Sequence, residues 1–136
     1  MLTVVDTGPL VAAFNPQDPL HEAATTLLRR TDLQFVVPLL CVGEASYLIE
    51  RDRGPAAEAR FLRACADLDL RTATAQHIQR MADLVELFAD FPLGAVDAFV
   101  VALAEQLDTA LVATFDHRHF RAIRPAHIES FTLLPE

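Results

Sequence analysis

The chain has 136 residues, 52% of them hydrophobic, the size and composition of one domain able to bury roughly 70% of its unfolded surface. No apolar run approaches the ~20 residues of a membrane span, and no basic leader with a small-residue cleavage site opens the chain, so a single cytoplasmic domain over residues 1–136 is expected. The formal charge of −8 excludes a broad cationic face for nucleic acid, because such faces rest on Lys and Arg neutralising phosphates.

Leu2 to Val5 is a short β-branched strand that ends at Asp6, and Thr7-Gly8-Pro9 reads as a turn. Asp18 to Arg30 carries Leu20, Ala23, Ala24, Leu27 and Leu28 as a helical stripe. Leu33 to Val37 is strand-like, and Pro38 punctuates it. A helix from Leu39 to Arg53 stops at Gly54-Pro55, where a second one, reaching Cys65, starts with proline in its first turn.

Leu68 to Thr72 is a weaker strand, followed by a helix over Thr74 to Ala89. After the loop at 90–94 comes a nearly all-apolar helix, Ala95 to Leu107. Ala110 to Thr114 is the next strand and Ser130 to Leu134 the last. Alternating strands and helices predict an α/β fold with a central parallel sheet flanked by helices on both faces, since parallel strands need crossovers. Cys41 and Cys65 lie in apolar surroundings without a Cys-x-x-Cys pair and read as free buried thiols.

The chemistry resides in acids at unusual places. In open parallel sheets, ligands bind beyond the carboxyl ends of the strands. Asp6 stands at that end of the first strand, although an Asp before Thr-Gly-Pro can equally cap a turn. Asp116 follows the strand ending at Thr114, again at or beyond its carboxyl end, where it could also open a turn. Glu44 shares a helical stripe with Leu40, Tyr47 and Leu48 and is expected to be buried or half-buried, which is costly unless it is ion-paired or bound to a metal. Asp97 sits in the first turn of the most apolar helix, where the helix dipole favours negative charge and where capping alone could equally explain it.

Four converging carboxylates would raise one another's pKa, and a hard divalent cation removes that conflict. Mg²⁺ and Mn²⁺ prefer oxygen ligands and tolerate phosphate oxygens among them, so the pattern points to metal-dependent phosphate chemistry. Thr7 and Thr114 could hold waters or phosphate, or simply cap the backbone. Arg118, Arg121 and Arg124 follow Asp116 closely and are candidates for a local basic rim on phosphates, or for surface ion pairs. His117 and His119 form a His-x-His without a third convincing ligand, a poor zinc site. His21, His77 and His127 read as surface residues, and Asp90 as a helix terminator that could serve the site.

Other phosphate chemistries lack their residues. An aspartyl phosphatase would want an acid where Gly8 stands, a receiver domain needs a lysine and the chain has none, and the Gly-rich nucleotide loops are missing.

Val4-Val5-Asp6-Thr7-Gly8-Pro9-Leu10, Val42-Gly43-Glu44-Ala45, Leu93-Gly94-Ala95-Val96-Asp97-Ala98 with Ala102-Leu103-Ala104-Glu105, and Ala113-Thr114-Phe115-Asp116-His117-Arg118-His119-Phe120 resemble the successive motifs of PIN-domain ribonucleases. The likeness is greatest to the VapC-type toxins of bacterial toxin–antitoxin pairs. It covers essentially the whole chain, and the family's four acidic positions fall on Asp6, Glu44, Asp97 and Asp116. The resemblance implies one or two Mg²⁺ or Mn²⁺ ions, hydrolysis of RNA phosphodiesters, a VapB-like antitoxin partner and a homodimer. Asp6 and Asp97 would be the most direct metal ligands, with Asp116 completing the shell and Glu44 binding or orienting a metal water. The competing reading is a catalytically silent PIN-fold binding module, with the helices Asp18 to Arg30 and Gly54 to Cys65 forming its groove.

Overall fold

The computed structural model describes residues 1–136. Five strands, β1 (Leu2–Val5), β2 (Gln34–Pro38), β3 (Leu70–Arg71), β4 (Leu111–Ala113) and β5 (Thr132–Leu134), form one sheet in the order β3-β2-β1-β4-β5. Every neighbouring pair is parallel. Thr3, Val4 and Val5 are all fully buried although their side chains alternate between faces, so both faces of β1 are covered.

The chain runs outward from β1 through β2 to β3 and then returns to the other side of β1 to form β4 and β5. The reversal leaves a crevice between the carboxyl ends of β1 and β4, the place where such sheets bind ligands. Val5 pairs with Ala113, and the Asp6 N–H continues the ladder to the Ala113 carbonyl at 2.9 Å. The residues after these two strands are thereby fixed side by side.

Seven helices connect the strands: α1 (Thr7–Phe14), α2 (His21–Leu28), α3 (Leu39–Arg53), α4 (Pro55–Cys65), α5 (Ala75–Leu87), α6 (Ala95–Gln106) and α7 (His117–Ala122). Two of them depart from the sequence reading. Thr7-Gly8-Pro9 is not a turn but the first turn of α1, where the missing proline N–H costs nothing because first-turn amides have no intrahelical acceptor. His117–Ala122 forms α7, capped by the Asp116 side chain on the His119 N–H. Gly54, at φ 85°, separates α3 from α4 by a backbone conformation that other residues rarely adopt, and Pro55 begins the new helix.

The core is one continuous cluster to which α6 contributes an unbroken buried run from Ala98 to Ala104. Cys41 and Cys65 are both free and buried, as expected. His77 is a correction: it is buried, not at the surface. Its Nδ1 accepts the Thr74 N–H at 3.0 Å in a capping box at the start of α5, which leaves Nε2 to donate to Gln106 Oε1 at 2.7 Å. His21 and His127 are half-buried, the first bonded to the Ala12 carbonyl and the second to that of Thr109. No helix is long and apolar enough to cross a membrane.

Phe99 is fully buried in α6, its ring edge-on to His77 at 5.3 Å. Truncation Phe99→Ala is expected to cost ~3–5 kcal/mol, the range for removing a buried aromatic, and to lower the urea midpoint accordingly.

Candidate functional site

A cleft of about 600 Å³ opens at the crevice between β1 and β4. Asp6, Glu44, Asp97 and Asp116 all line it, together with Thr7, Gly8 and Phe115. Four acids far apart in the sequence therefore line one cleft.

Each acid arrives by a different route. Asp6 is the residue between β1 and α1, 6% exposed, and accepts a 2.8 Å hydrogen bond from the Thr114 hydroxyl. Thr114 is fully buried, and its oxygen in turn accepts the Asp116 N–H at 2.9 Å. That hydroxyl is a strut joining the two strand-end aspartates. Asp97 occupies the first turn of α6 and is half-buried, while the N-cap position belongs to Gly94, so capping is not its role.

Glu44 corrects the sequence reading. It is exposed, because the packed face of α3 is Cys41, Val42, Ala45, Ser46 and Ile49, and the stripe of Leu40, Glu44, Tyr47 and Leu48 looks outward. Leu40 and Tyr47 are exposed with it. No arginine pairs with Glu44; the four arginine ion pairs use other acids.

The carboxylates lie close enough to shift one another's ionisation. Burial raises the Asp6 carboxyl above its ordinary range, the Thr114 and Thr7 hydrogen bonds oppose the rise, and the charges of Glu44 and Asp116 add to it. Asp97 is pushed up to about 7, first by burial and then by Asp6, Asp116 and Glu44, with His119 pulling weakly the other way. A carboxyl raised toward neutrality by burial, and further by neighbouring carboxylates, marks a site that would gain from a cation.

The residues fit a hard, water-rich ion. All the donors are oxygens, and the Thr7 hydroxyl, buried at the same cleft, has no hydrogen-bond partner of sound geometry; only the Cys41 thiol, itself raised by burial, adjoins it. No three His, Cys, Asp or Glu groups are drawn into a closed cage.

The remaining candidates divide. Arg118, Arg121 and Arg124 are exposed around α7 and enter no ion pair. His117 donates to the Thr114 carbonyl at 3.0 Å, and His119 Nδ1 lies 2.8 Å from Asp116 Oδ1. Asp90 is exposed in the turn after α5 and does not line the cleft. The sequence reading missed Asp18, which does line it and whose Oδ1 accepts the Leu20 N–H at 2.8 Å. An acid between two prolines in a polar loop carries no pattern that would have marked it.

This fold and acidic crevice define the class: the chain belongs to the PIN domain family, whose profile matches residues 3–124. Within it the chain is of the VapC type. It is 33% identical over 134 residues to Ribonuclease VapC26 of Mycobacterium tuberculosis, covering 97% of this chain and 99% of that one. Among solved structures, Mycobacterium tuberculosis VapC20, described as a Sarcin-Ricin loop cleaving toxin, superposes with a TM-score of 0.81 at 20% identity over 93% of this chain and 98% of its own. VapBC2 from Rickettsia felis, bound to a DNA fragment from its promoter, gives 0.72 at 15% identity over 98% and 97%. A toxin–antitoxin complex from Klebsiella pneumoniae gives 0.69 at 18% identity over 96% and 99%.

The Asp97 shift predicts a pH dependence of stability. Unfolded Asp97 ionises near 3.8, and the folded group holds its proton to about 7. Between those values the native state binds the extra proton, so this group's contribution to stability falls as pH rises and is fully unfavourable above about 7. In metal-free buffer, Asp97→Asn is expected to raise the melting temperature at pH 8 and to leave it almost unchanged at pH 4, which thermal melts of the two proteins check directly.

Proposed function

We propose that this protein is a Mg²⁺- or Mn²⁺-dependent endoribonuclease acting as the toxin of a toxin–antitoxin pair. The observation that carries the reading is the meeting of Asp6, Glu44, Asp97 and Asp116 at one cleft, with Asp97 held near neutrality. The 33% identity to a protein named a ribonuclease, over nearly the whole of both chains, supports the reaction type.

In this reading Asp6 and Asp97 would hold the cation, Asp116 would complete the donor set and Glu44, exposed on α3, would orient water. When bound, the ion supplies an activated water and neutralises charge on the phosphate. Asp6 is held at the cleft by the Thr114 hydroxyl on its Oδ2. Asp97, held near neutrality without an ion, would release its proton to solvent and offer a second carboxylate to a bound cation.

A chain of formal charge −8 needs local help to accept RNA, and two divalent ions would halve that charge. Arg118 and Arg121 on α7 extend from the segment that begins with Asp116, and no acid engages them. They would contact phosphates flanking the scissile bond and set position rather than sequence.

The antitoxin has a matching surface. Leu10, Ala13 and Phe14 of α1, Leu28 of α2, and Phe61 and Cys65 of α4 line a wholly apolar groove of about 230 Å³. An amphipathic antitoxin segment laid there would run along α1, which begins at Asp6, and could continue into the acidic cleft. The solved toxin–antitoxin complexes among the structural relatives agree with such a partner.

Purified protein should cut total bacterial RNA into discrete fragments with Mn²⁺ or Mg²⁺. EDTA should stop it, and Asp97→Asn should slow it at least ~100-fold, the scale of losing one charge-stabilising group from a transition state. A folded, ion-supplied protein that cuts no RNA would instead favour the silent binding module. For the rim, Arg121→Ala in cleavage-silent Asp97→Asn protein is expected to weaken RNA binding across sequences and to flatten the plot of log affinity against log salt by ~0.7, the contribution of one phosphate on a single strand.

A further inference from the structure

His119 has no part in the acidic set, yet it holds one member of that set, Asp116, and packs against the connection that leads to another, Asp97. Its Nδ1 lies 2.8 Å from Oδ1 and 2.7 Å from Oδ2 of Asp116, so one N–H is shared by both carboxylate oxygens. Its backbone N–H reaches Oδ1 as well, at 3.3 Å. On its other side the ring packs against Phe91, centroids 4.9 Å apart and planes tilted by 52°. Phe91 belongs to the connection that leads into α6, the helix carrying Asp97.

Asp116 needs such a hold more than Asp6 does. Its side chain is 43% exposed, whereas Asp6 is buried and tied to Thr114. A carboxylate that exposed would ordinarily sample several rotamers, and a loosely held ligand binds a cation poorly because ordering it costs entropy. His117, two residues earlier, is turned away to the Thr114 carbonyl and cannot substitute.

We propose that His119 is a positioning residue: held against Phe91, it clamps the Asp116 carboxylate and so fixes the spacing between Asp116 and Asp97 across the cleft. This rests on the reading of the cleft as a divalent-cation site. His119 would not touch the ion; it acts through Asp116, as the hydrogen-bonding groups around metal ligands commonly do.

The test is calorimetric titration of Mn²⁺ into the full-length wild type, His119→Ala and His119→Asn at pH 8, with thermal melts of each. Asparagine places an N–H donor where the ring carries Nδ1, and alanine removes it. The expected result is a ~10–100-fold weaker Mn²⁺ affinity for His119→Ala, the usual cost of losing a ligand's supporting hydrogen bond, with most of it regained in His119→Asn. Equal Mn²⁺ affinity in wild type and His119→Ala would overturn the clamp while leaving the cation site standing. Equal losses in both variants would overturn it too, since the ring's bulk and not its donor would then matter. A wild type that binds no Mn²⁺ would sink the cation reading itself, and the clamp with it.

Discussion

Mutual repulsion among carboxylates is the constraint around which this end of the molecule is built. Asp6 is 6% exposed, yet it faces Asp97, Asp116 and Glu44 across one cleft with a single side-chain donor, the Thr114 hydroxyl, to offset burial. A structure assembled for stability alone would place an apolar residue or a paired arginine at Asp6, because a buried carboxyl facing other carboxylates costs free energy. The sheet holds the arrangement regardless. The β1–β4 pairing, continued by the Asp6 N–H to the Ala113 carbonyl, leaves Asp6 and the Thr114–Asp116 segment no freedom to separate.

Topology explains why these particular residues meet. Reversal of strand order at β1 opens a crevice where two chain segments more than a hundred residues apart become neighbours, and the hydrogen bond between Asp6 and Thr114 spans that distance. The apolar run of α6 anchors the third acid. Ala98 to Ala104 are buried without interruption, so Asp97 is carried on a helix that cannot shift to relieve its charge.

Much of this was legible in the sequence, for identifiable reasons. Short apolar strands alternating with amphipathic helices gave the parallel α/β fold, and acids at strand ends or within apolar helices stood out because their surroundings made them costly. Asp6, Asp97 and Asp116 were legible in that way. Glu44 was also singled out, but through a faulty step: Leu40, Tyr47 and Leu48 mark the outward stripe of α3, and a 15-residue helix with two apolar stripes does not reveal which one packs. α1 was hidden by Gly8 and Pro9, whose turn signal is also compatible with a helix's first turn. His77 escaped because a neutral histidine that caps a helix and bonds to Gln106 looks, in one dimension, like any polar residue on a helix.

The central claim, that a divalent cation relieves the repulsion centred on Asp97, has a direct test in proton release. Titration of Mn²⁺ at pH 6 in two buffers of different ionisation enthalpy measures the protons displaced per ion. With Asp97 titrating at about 7, the account predicts release approaching ~1 proton per ion at pH 6, fading toward zero above pH 8 and missing in Asp97→Asn. Binding with no buffer dependence at pH 6, or no binding at all, would contradict it.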